Sequence, residues 1–163
     1  MVIYLSMFYP KKKKTTKPLP LFDKAGIKVK RKPDYKKKLD EIFSKYIRLK
    51  YSDNQGYCTC ISCGKVHFWT QIQNGHYMSR RHLTTRWSED NCRPQCVACN
   101  IYNQGAAQMY RRNLVAQIGE NRVTWIETYA HITTHEHTDF EYQQLIKHYQ
   151  AEVRHLLEEK HLT

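Results

Sequence analysis

Four cysteines, arranged as two Cys-x-x-Cys pairs, are the residues of this chain best suited to hold a metal ion. Cys60 and Cys63 form the first pair, and Cys96 and Cys99 form the second. Each pair can bind one side of an ion, and four thiolates complete the tetrahedral coordination that zinc prefers. Because no ligand position is left for a substrate, the spacing predicts one structural Zn²⁺ per chain.

Three polar residues stand in and beside this cysteine frame. His76 lies between the two pairs, Asn91 shortly precedes the second pair, and Asn100 follows its last cysteine. A zinc ribbon that only binds a partner needs none of them, although the cysteines alone would favour such a ribbon. Taken singly, the three residues could be a buried core histidine, a turn-forming asparagine and a helix cap.

The other two cysteines, Cys58 and Cys92, complete no second pair, and we expect small buried residues or free thiols there. The apolar residues 1–9 lack the basic start of a secretory signal and are too few to form one. Reduced, metal-binding thiols are therefore favoured over three disulfides. No apolar run approaches the roughly 20 residues that span a bilayer, so we expect a soluble, cytoplasmic protein without membrane contact.

Positive charge is concentrated in the first third of the chain. Residues 1–50 hold 16 Lys and Arg against 4 Asp and Glu, whereas residues 51–163 are balanced at 11 of each. Cations that contact phosphates release counterions, so this segment favours sequence-independent binding to nucleic acid that weakens with salt. A solvated tail is the plain alternative and is compatible with it. An acidic membrane is disfavoured because no amphipathic apolar face accompanies the charge.

The elements that position these residues are predicted from local patterns. Residues 1–32 are lysine-rich and have no hydrophobic period, which predicts a flexible basic arm. Residues 33–53 are predicted to form an amphipathic basic helix beginning at Pro33. Its apolar stripe is Leu39, Ile42, Phe43 and Tyr46.

Residues 54–112 are expected to form the zinc-bound core. Two short strands should surround the first cysteine pair, and His76 should lie at the end of a strand. Residues 80–89 are predicted to be a loop, and Cys99 should open a helix that carries Asn100. Residues 113–163 are expected to form a helical extension. A helix indicated by Met109, Tyr110, Leu114 and Ile118 should end at Gly119, and a second short helix should cover residues 123–129.

The last helix is predicted from a capping box, Thr138 to Glu141, and runs from Asp139 to about Lys160. Its apolar seam, which has a heptad spacing, either packs on the core or meets a second copy in a homodimer. Just before it lie His131, His135 and His137. We expect solvated loop histidines rather than a second metal site, because no carboxylate or cysteine partner stands at a recognisable spacing.

The order of His76, Asn91 and residues 96–100 resembles the HNH (His-Me finger, ββα-metal) nuclease superfamily. Its zinc-bearing members show a His, an Asn, and then Cys-x-x-Cys followed by His or Asn. More closely, residues 75–82 and 87–100 look like the NinG/Rap family of lambdoid-type phage recombination nucleases. Residues 110–114, 118–127 and 142–160 are also similar to that family, so the resemblance spans about residue 36 to the end.

The resemblance implies a role for each of the three polar residues. His76 would be the general base that takes a proton from the attacking water, a task that suits a neutral imidazole. Asn91 would tie the loop to the strand and hold His76 in line. Asn100 would help to hold Mg²⁺ or Mn²⁺ through its amide oxygen, a hard ligand suited to such ions.

Basic residues would contact the DNA backbone. Arg80 and Arg81 stand next to the base and could clamp phosphates, and His82 is a secondary candidate for a metal ligand or phosphate contact. Many HNH sites carry a metal-binding Asp directly before the histidine, where this chain has Gly75, so Asn74 or a neighbour would have to substitute. The other predicted nucleic-acid contacts are Lys30, Arg31, Lys32, Lys36, Lys37 and Lys38.

Together these patterns predict an α+β protein with a zinc-stabilised ββα-metal (HNH, His-Me finger) core and flanking N- and C-terminal helices. The implied function is a metal-dependent DNA endonuclease acting on branched recombination intermediates, such as Holliday junctions or D-loops. Its partners would be branched DNA, other phage recombination proteins and a second copy, in the cytoplasm of a bacterial host. The alternatives are a non-catalytic zinc-ribbon nucleic-acid-binding protein and an HNH nuclease without branch specificity.

Overall fold

A computed structural model of the chain describes residues 33–132 and 136–162. The predicted arm, residues 1–32, and His135 lie outside this part. The described residues form a mixed α+β fold, as predicted, with two small antiparallel sheets. The helices are α1 (Tyr35–Lys50), α2 (Leu83–Arg86), α3 (Ala107–Ile118), α4 (Glu120–Ile132) and α5 (Asp139–Glu159), and the strands are β1 (Tyr57–Thr59), β2 (Val66–Phe68), β3 (Gln73–His76) and β4 (Cys92–Gln95).

Helix α1 begins at Tyr35 because Asp34 caps it. The Asp34 carboxylate accepts a hydrogen bond from the Lys37 N–H at 2.9 Å, which satisfies one of the free donors of the first turn. Pro33 therefore precedes the helix instead of opening it, as the sequence had suggested. The predicted stripe forms one face: Leu39, Phe43 and Tyr46 are buried and Ile42 is half-buried.

Helix α5 packs along α1 and completes the main core. The predicted Thr138–Glu141 capping box is present. The rings of Phe43 and Tyr149 meet edge to face with centroids 4.9 Å apart. The seam of α5 is thus buried within the chain, which confirms the intramolecular alternative; a homodimer stays a prediction and needs another surface. The buried seam residues are Tyr142, Ile146, Tyr149 and Val153.

Two hairpins carry the cysteine frame. Strands β1 and β2 pair on either side of the first cysteine pair. Strands β3 and β4 pair with His76 opposite Cys92 and Gly75 opposite Arg93. His76 is the last residue of its strand, as predicted, and Asn91 immediately precedes the strand that pairs with it.

The chain after β4 departs from the predicted elements in several places. Asn100 lies on a single π-helical turn, Ala98–Tyr102, and α3 begins only after Gly105 and Ala106 have taken positive φ angles. Helix α3 runs through residue 112, where the core was expected to end, because Tyr110 and Leu114 form one buried face. Helix α4 extends beyond the predicted residues 123–129 at both ends. Residues 80–89 contain α2 as well as loop.

Among the helices of residues 33–132 and 136–162, none combines the length and the apolar character that a bilayer-spanning helix needs.

Candidate functional site

The four cysteines of the two pairs come together in one cluster. The sulfur atoms of Cys60, Cys63, Cys96 and Cys99 all lie within 4.8 Å of one another. The Sγ atoms of Cys63 and Cys96 are 3.7 Å apart. Zn–S bonds of about 2.3 Å in a regular tetrahedron place sulfurs about 3.8 Å apart. The cluster therefore has the composition and size to bind a metal ion such as zinc, as the spacing predicted.

Backbone N–H groups shape this four-cysteine cluster. The Cys96 N–H donates to Cys60 Sγ at 3.3 Å. Gly64 takes a φ of +75° where the chain turns, and its N–H donates to the Cys60 carbonyl at 2.9 Å. Burial raises the pKa of Cys60, but N–H donors from Cys96, Cys63 and Ser62 outweigh it and lower that pKa from 9.0 to about 7. Because the thiolate is the metal-binding form, these donors favour that form at Cys60, whereas burial and the neighbouring sulfurs raise the pKa of Cys63 and Cys99.

Cys58 and Cys92 lie outside the cluster. Both are buried, and the Cys58 thiol donates to the Arg48 carbonyl at 3.0 Å. Burial raises the pKa of Cys58 to about 11 and raises that of Cys92 further. Both side chains therefore stay protonated and serve as small core residues.

His76 lines a polar cavity of about 630 Å³ bordered by α1, β3 and the turn that carries Asn100. Its ring Nε2 lies 3.0 Å from the carbonyl oxygen of Arg86. Since a carbonyl can only accept, Nε2 carries the proton of the neutral ring, and Nδ1 is left as the proton acceptor. The backbone thus selects the tautomer of His76.

The protonation of His76 depends on its surroundings. Burial lowers its pKa from 6.5 to about 4, with the positive charge of Arg80 adding to the effect. The ring is therefore neutral near pH 7, the state required of a group that accepts a proton. An anionic phosphate entering the cavity would raise this pKa, because a nearby negative charge favours the protonated ring.

Arg86, whose carbonyl holds the His76 ring, is itself fixed by α1. Its guanidinium binds both carboxylate oxygens of Asp40, with Nε 2.8 Å from Oδ1 and Nη2 in contact with Oδ2. Its Nη1 donates to the Arg80 carbonyl at 2.9 Å. The indole of Trp87 also donates to Asp40, at 2.9 Å. A continuous chain of contacts, Asp40 to Arg86 to His76, therefore connects the first helix with the imidazole.

Asn91 is fully buried and holds the segment that follows His76. Its Oδ1 accepts from the Met78 N–H at 2.6 Å, and its Nδ2 donates to the Met78 and Thr85 carbonyls, each at 3.0 Å. The Tyr77 N–H donates to the Asn91 carbonyl at 2.9 Å. Asn91 does not line the cavity. Its contacts are those of a residue that positions the loop beside His76.

Gly75 is explained by its neighbour on β4. A Cβ at this position would lie 2.7 Å from the Cβ of Gln95, closer than side chains pack. Gln95 needs that space because its Nε2 donates to Ser62 Oγ at 2.8 Å and to the Gly105 carbonyl at 2.7 Å. It thereby connects the first cysteine pair with the turn after the second. The Asp found before the histidine in many HNH sites would not fit here.

Two amide side chains bring oxygen atoms to the cavity. Asn74 lies two residues before His76, so both side chains leave the same face of β3. Its Oδ1 is buried without a hydrogen-bond partner. The Nδ2 of Asn100 donates to Gln73 Oε1 at 2.7 Å, which orients that amide and leaves its oxygen for another ligand. Asn74 and Asn100 both line the cavity, and amide oxygens are ligands that suit a hard cation such as Mg²⁺ or Mn²⁺.

The predicted basic residues take different positions. Arg80 lines the cavity, whereas Arg81 is exposed and is not part of its wall. Lys37 and Lys38 are exposed and Lys36 is half-buried, all in the first turn of α1. Lys30, Arg31 and Lys32 lie outside the described residues.

Arg48 of α1 also lines the cavity, and the sequence interpretation missed it. Its guanidinium donates to the Trp69 carbonyl at 2.9 Å. The only available signal was its place in a basic helix, which many solvated lysines share. Its importance depends on which face of α1 meets β3, a tertiary property.

The histidines outside the cavity contact other rings. His82 caps α2, and its ring meets that of His131 with centroids 4.7 Å apart. His137 lies beside Trp87 and Tyr142, at 5.6 and 5.4 Å. Within residues 33–132 and 136–162, the four cysteines are the one group that could hold a metal through cysteine, histidine or carboxylate ligands.

The sequence of this chain is similar to those of known proteins. The model of the family described as Bacteriophage Lambda NinG protein matches residues 11–159. Protein ninG of Escherichia phage lambda is 37% identical over 70 residues, which cover 42% of this chain and 34% of that protein. Protein ninG of Escherichia phage 933W matches with the same identity and coverage. The match thus spans about a third of the length of these relatives. No solved structure matches. Because the family model covers most of its length, the chain belongs to the NinG family.

Proposed function

We propose that this chain is a metal-dependent DNA endonuclease of the HNH type, with His76 as its general base. The observation that carries the proposal is the hydrogen bond from His76 Nε2 to the Arg86 carbonyl. It leaves Nδ1 as the proton acceptor in a cavity that also contains the Asn74 and Asn100 amides. A neutral, oriented imidazole beside oxygen ligands is the arrangement that phosphodiester hydrolysis requires.

The order of elements supports the same proposal. Strands β3 and β4 form an antiparallel pair whose connection contains α2, and the Ala98–Tyr102 helical turn follows β4. His76 ends the first of these strands, Asn91 precedes the second, and Asn100 lies on the turn. The HNH superfamily that the sequence resembles has this ββα order.

The chain's residues can divide the work of hydrolysis. Arg80 and Arg48 would contact the phosphate oxygens as the DNA backbone enters the cavity. His76 Nδ1 would take the proton of the water that attacks phosphorus, while the bond from phosphorus to the 3′-oxygen breaks. The Arg86 carbonyl would stabilise the resulting imidazolium through Nε2. A Mg²⁺ or Mn²⁺ ion held by Asn74 and Asn100 would supply charge neutralisation on the phosphate and the leaving oxygen.

The four-cysteine cluster would hold a structural Zn²⁺. Its first cysteine pair lies in the loop between β1 and β2, its second pair follows β4, and Asn100 directly follows Cys99. A bound ion would therefore keep the Asn100 turn against β3. The closed thiolate set excludes a role in the chemical step.

Branched recombination intermediates, such as Holliday junctions or D-loops, are the substrates that the family resemblance suggests. A homodimer would match the two-fold symmetry of a four-way junction. Other phage recombination proteins are further proposed partners, in the cytoplasm of a bacterial host.

A pair of histidine variants tests the proposal. H76A should reduce cutting of a four-way junction in Mg²⁺ by at least about 100-fold while DNA affinity is retained. H82A is the matched control, because His82 contacts His131 and not the cavity, and it should cut normally. Full activity of H76A would disprove the assigned base, and a zinc-loaded chain that binds DNA without cutting would be a zinc-ribbon binding protein.

Equal cutting rates on four-way, flapped and linear duplexes would exclude branch specificity.

A further inference from the structure

A second depression lies between α1 and α5. It has a volume of about 490 Å³, and we refer to it as the α1–α5 groove. Val153 and Leu157 give it an apolar wall, and Ile42 lies on the α1 side. The remaining lining residues are Lys45, Lys147, Gln150 and Arg154.

The charge of the α1–α5 groove is of one sign. Lys45, Lys147 and Arg154 line it, and no carboxylate does. Within the described part of the chain, none of these three cations forms an ion pair, whereas Arg86, Arg111 and Arg122 all do. Unpaired cations that face a common groove repel one another, so they contribute nothing to folding through charge. Their arrangement is that of a surface that receives an anion.

One cation of the groove and one cation of the cavity lie against the same ring, that of Trp69. The Lys45 Nζ lies 5.4 Å from the centre of the Trp69 ring, and the Arg48 guanidinium carbon lies 5.6 Å from it. Lys45 lines the groove and Arg48 lines the cavity. The two residues are one turn apart on α1, about 4.5 Å along its axis. Positive side chains of the groove and of the cavity thus come near each other at Trp69.

We propose that the α1–α5 groove binds the phosphate backbone of the DNA that flanks the bond placed in the His76 cavity. The proposal rests on the proposed function for the identity of the ligand. A nucleic-acid backbone is favoured over an acidic protein because the groove and the cavity both carry cations, and Lys45 and Arg48 bring the two sets together at Trp69. A polyanion with regularly repeated charges suits cations spread over two depressions better than an isolated acidic side chain does.

The experiment compares two double variants that remove the same charge. K147Q/R154Q changes the groove, and K65Q/R112Q changes two exposed cations elsewhere in the described chain. All four side chains are exposed, so the stability of each variant should stay within about 0.5 kcal/mol of the parent. Binding of a labelled four-way junction by the full-length chain is measured by fluorescence anisotropy over a range of KCl concentrations, without added divalent cation.

The groove variant should flatten the plot of log affinity against log salt by about 1.8 and weaken binding about 30-fold near 0.15 M KCl, since each lost phosphate contact removes about 0.9 from the slope. The control should change the slope much less. Equal slopes for the two variants would overturn the proposal and leave the groove to a protein partner. A cleavage assay tests the proposed nuclease activity separately. A wild-type chain that never cuts DNA would refute that activity, while a flattened slope in K147Q/R154Q would still support DNA binding by the α1–α5 groove.

Discussion

Asp40 reaches the imidazole of His76 only through Arg86, so its expected role is one of positioning. Replacing Asp40 with Asn keeps its size but removes the charge that binds the guanidinium. We expect D40N to slow cutting about tenfold, a typical effect of losing a group that orients a reacting residue, with little change in DNA affinity. Single-turnover cleavage and anisotropy binding measure the two quantities.

D90N is the matched control for this substitution. Asp90 pairs with the exposed Arg122 and has no contact with the Arg86 network, so cutting should be unaffected. ¹⁵N NMR of the imidazole gives a readout independent of cleavage: wild type should show protonated Nε2, and D40N should show a mixture of tautomers. A pure Nε2–H tautomer in D40N with normal cutting would contradict the positioning role.

The lowered pKa of His76 predicts how stability depends on pH. The folded protein holds this ring neutral down to about pH 4, whereas the unfolded chain protonates near 6.5. The unfolded state therefore binds more protons between these values, and stability is fully present above pH 6.5 and lost as the pH falls toward 4. Between pH 7.5 and 5.5 this group should cost about 1 kcal/mol.

H76Q removes this titration and provides the comparison. Urea unfolding of the two proteins at both pH values, without added divalent cation, measures the difference. The pH-dependent loss of stability should be about 1 kcal/mol smaller in H76Q than in wild type, and all other titrating groups are common to the two. Parallel losses would mean that the ring is protonated equally in both states.

At the scale of the elements, the cysteine cluster connects the two hairpins. The first pair follows β1 and the second follows β4, and the Ile61 N–H donates to the Pro94 carbonyl at 2.9 Å between them. C96S should lose bound zinc and lower the thermal midpoint by several degrees, because a structural ion contributes directly to folding. Elemental analysis and calorimetry measure both effects.

C58S is the matched control for C96S, because it changes a buried cysteine that lies outside the four-cysteine cluster. Cys58 is as buried as Cys96, but it donates to the Arg48 carbonyl, a bond that a serine hydroxyl can keep. One zinc per chain should remain in C58S. A full complement of zinc in C96S would show that the four sulfurs are not the ligands.

The elements that could be predicted from sequence are those that depend on local signals. The apolar period predicts α1, the capping box at Thr138 predicts the start of α5, and the cysteine spacing predicts the metal site. Each of these patterns can be recognised within a short stretch of sequence. Asp40, Arg48 and Gln95 were not predicted to shape the site. Each acts across a tertiary contact, such as the 46 positions that separate Asp40 from Arg86, and no local pattern marks such a pair.

Gly75 shows how a departure from a family pattern can be explained only by structure. From the sequence, the missing Asp left the metal ligands of the site undecided. The fold gives the reason: Gln95 occupies the space, and the alternation of β3 turns Asn74 to the same face as His76. We propose Asn74, one residue before Gly75, as the oxygen donor; the sequence had offered it only as one of several neighbours that could substitute.

At the scale of the whole molecule, positive charge is divided between the described fold and the segment before it. The groove and the cavity together contribute Lys45, Arg48, Arg80, Lys147 and Arg154. Residues 1–32 add 10 Lys and Arg against 1 Asp. Because phosphate contacts act mainly through counterion release, both parts should strengthen binding to any DNA sequence.

The contribution to DNA binding of the basic cluster that precedes α1 in the sequence can be tested with K30Q/R31Q/K32Q. If all three side chains contact phosphates, the plot of log affinity against log salt should flatten by about 2.7. The cutting rate at saturating DNA should not change, because the proposed catalytic groups His76, Asn74 and Asn100 are left in place. K65Q/R112Q again corrects for the loss of net charge. Combined with K147Q/R154Q, the slopes should add to about 4.5, since contacts with separate phosphates are independent. A combined change no larger than that of either variant alone would mean that the segment and the groove compete for the same phosphates.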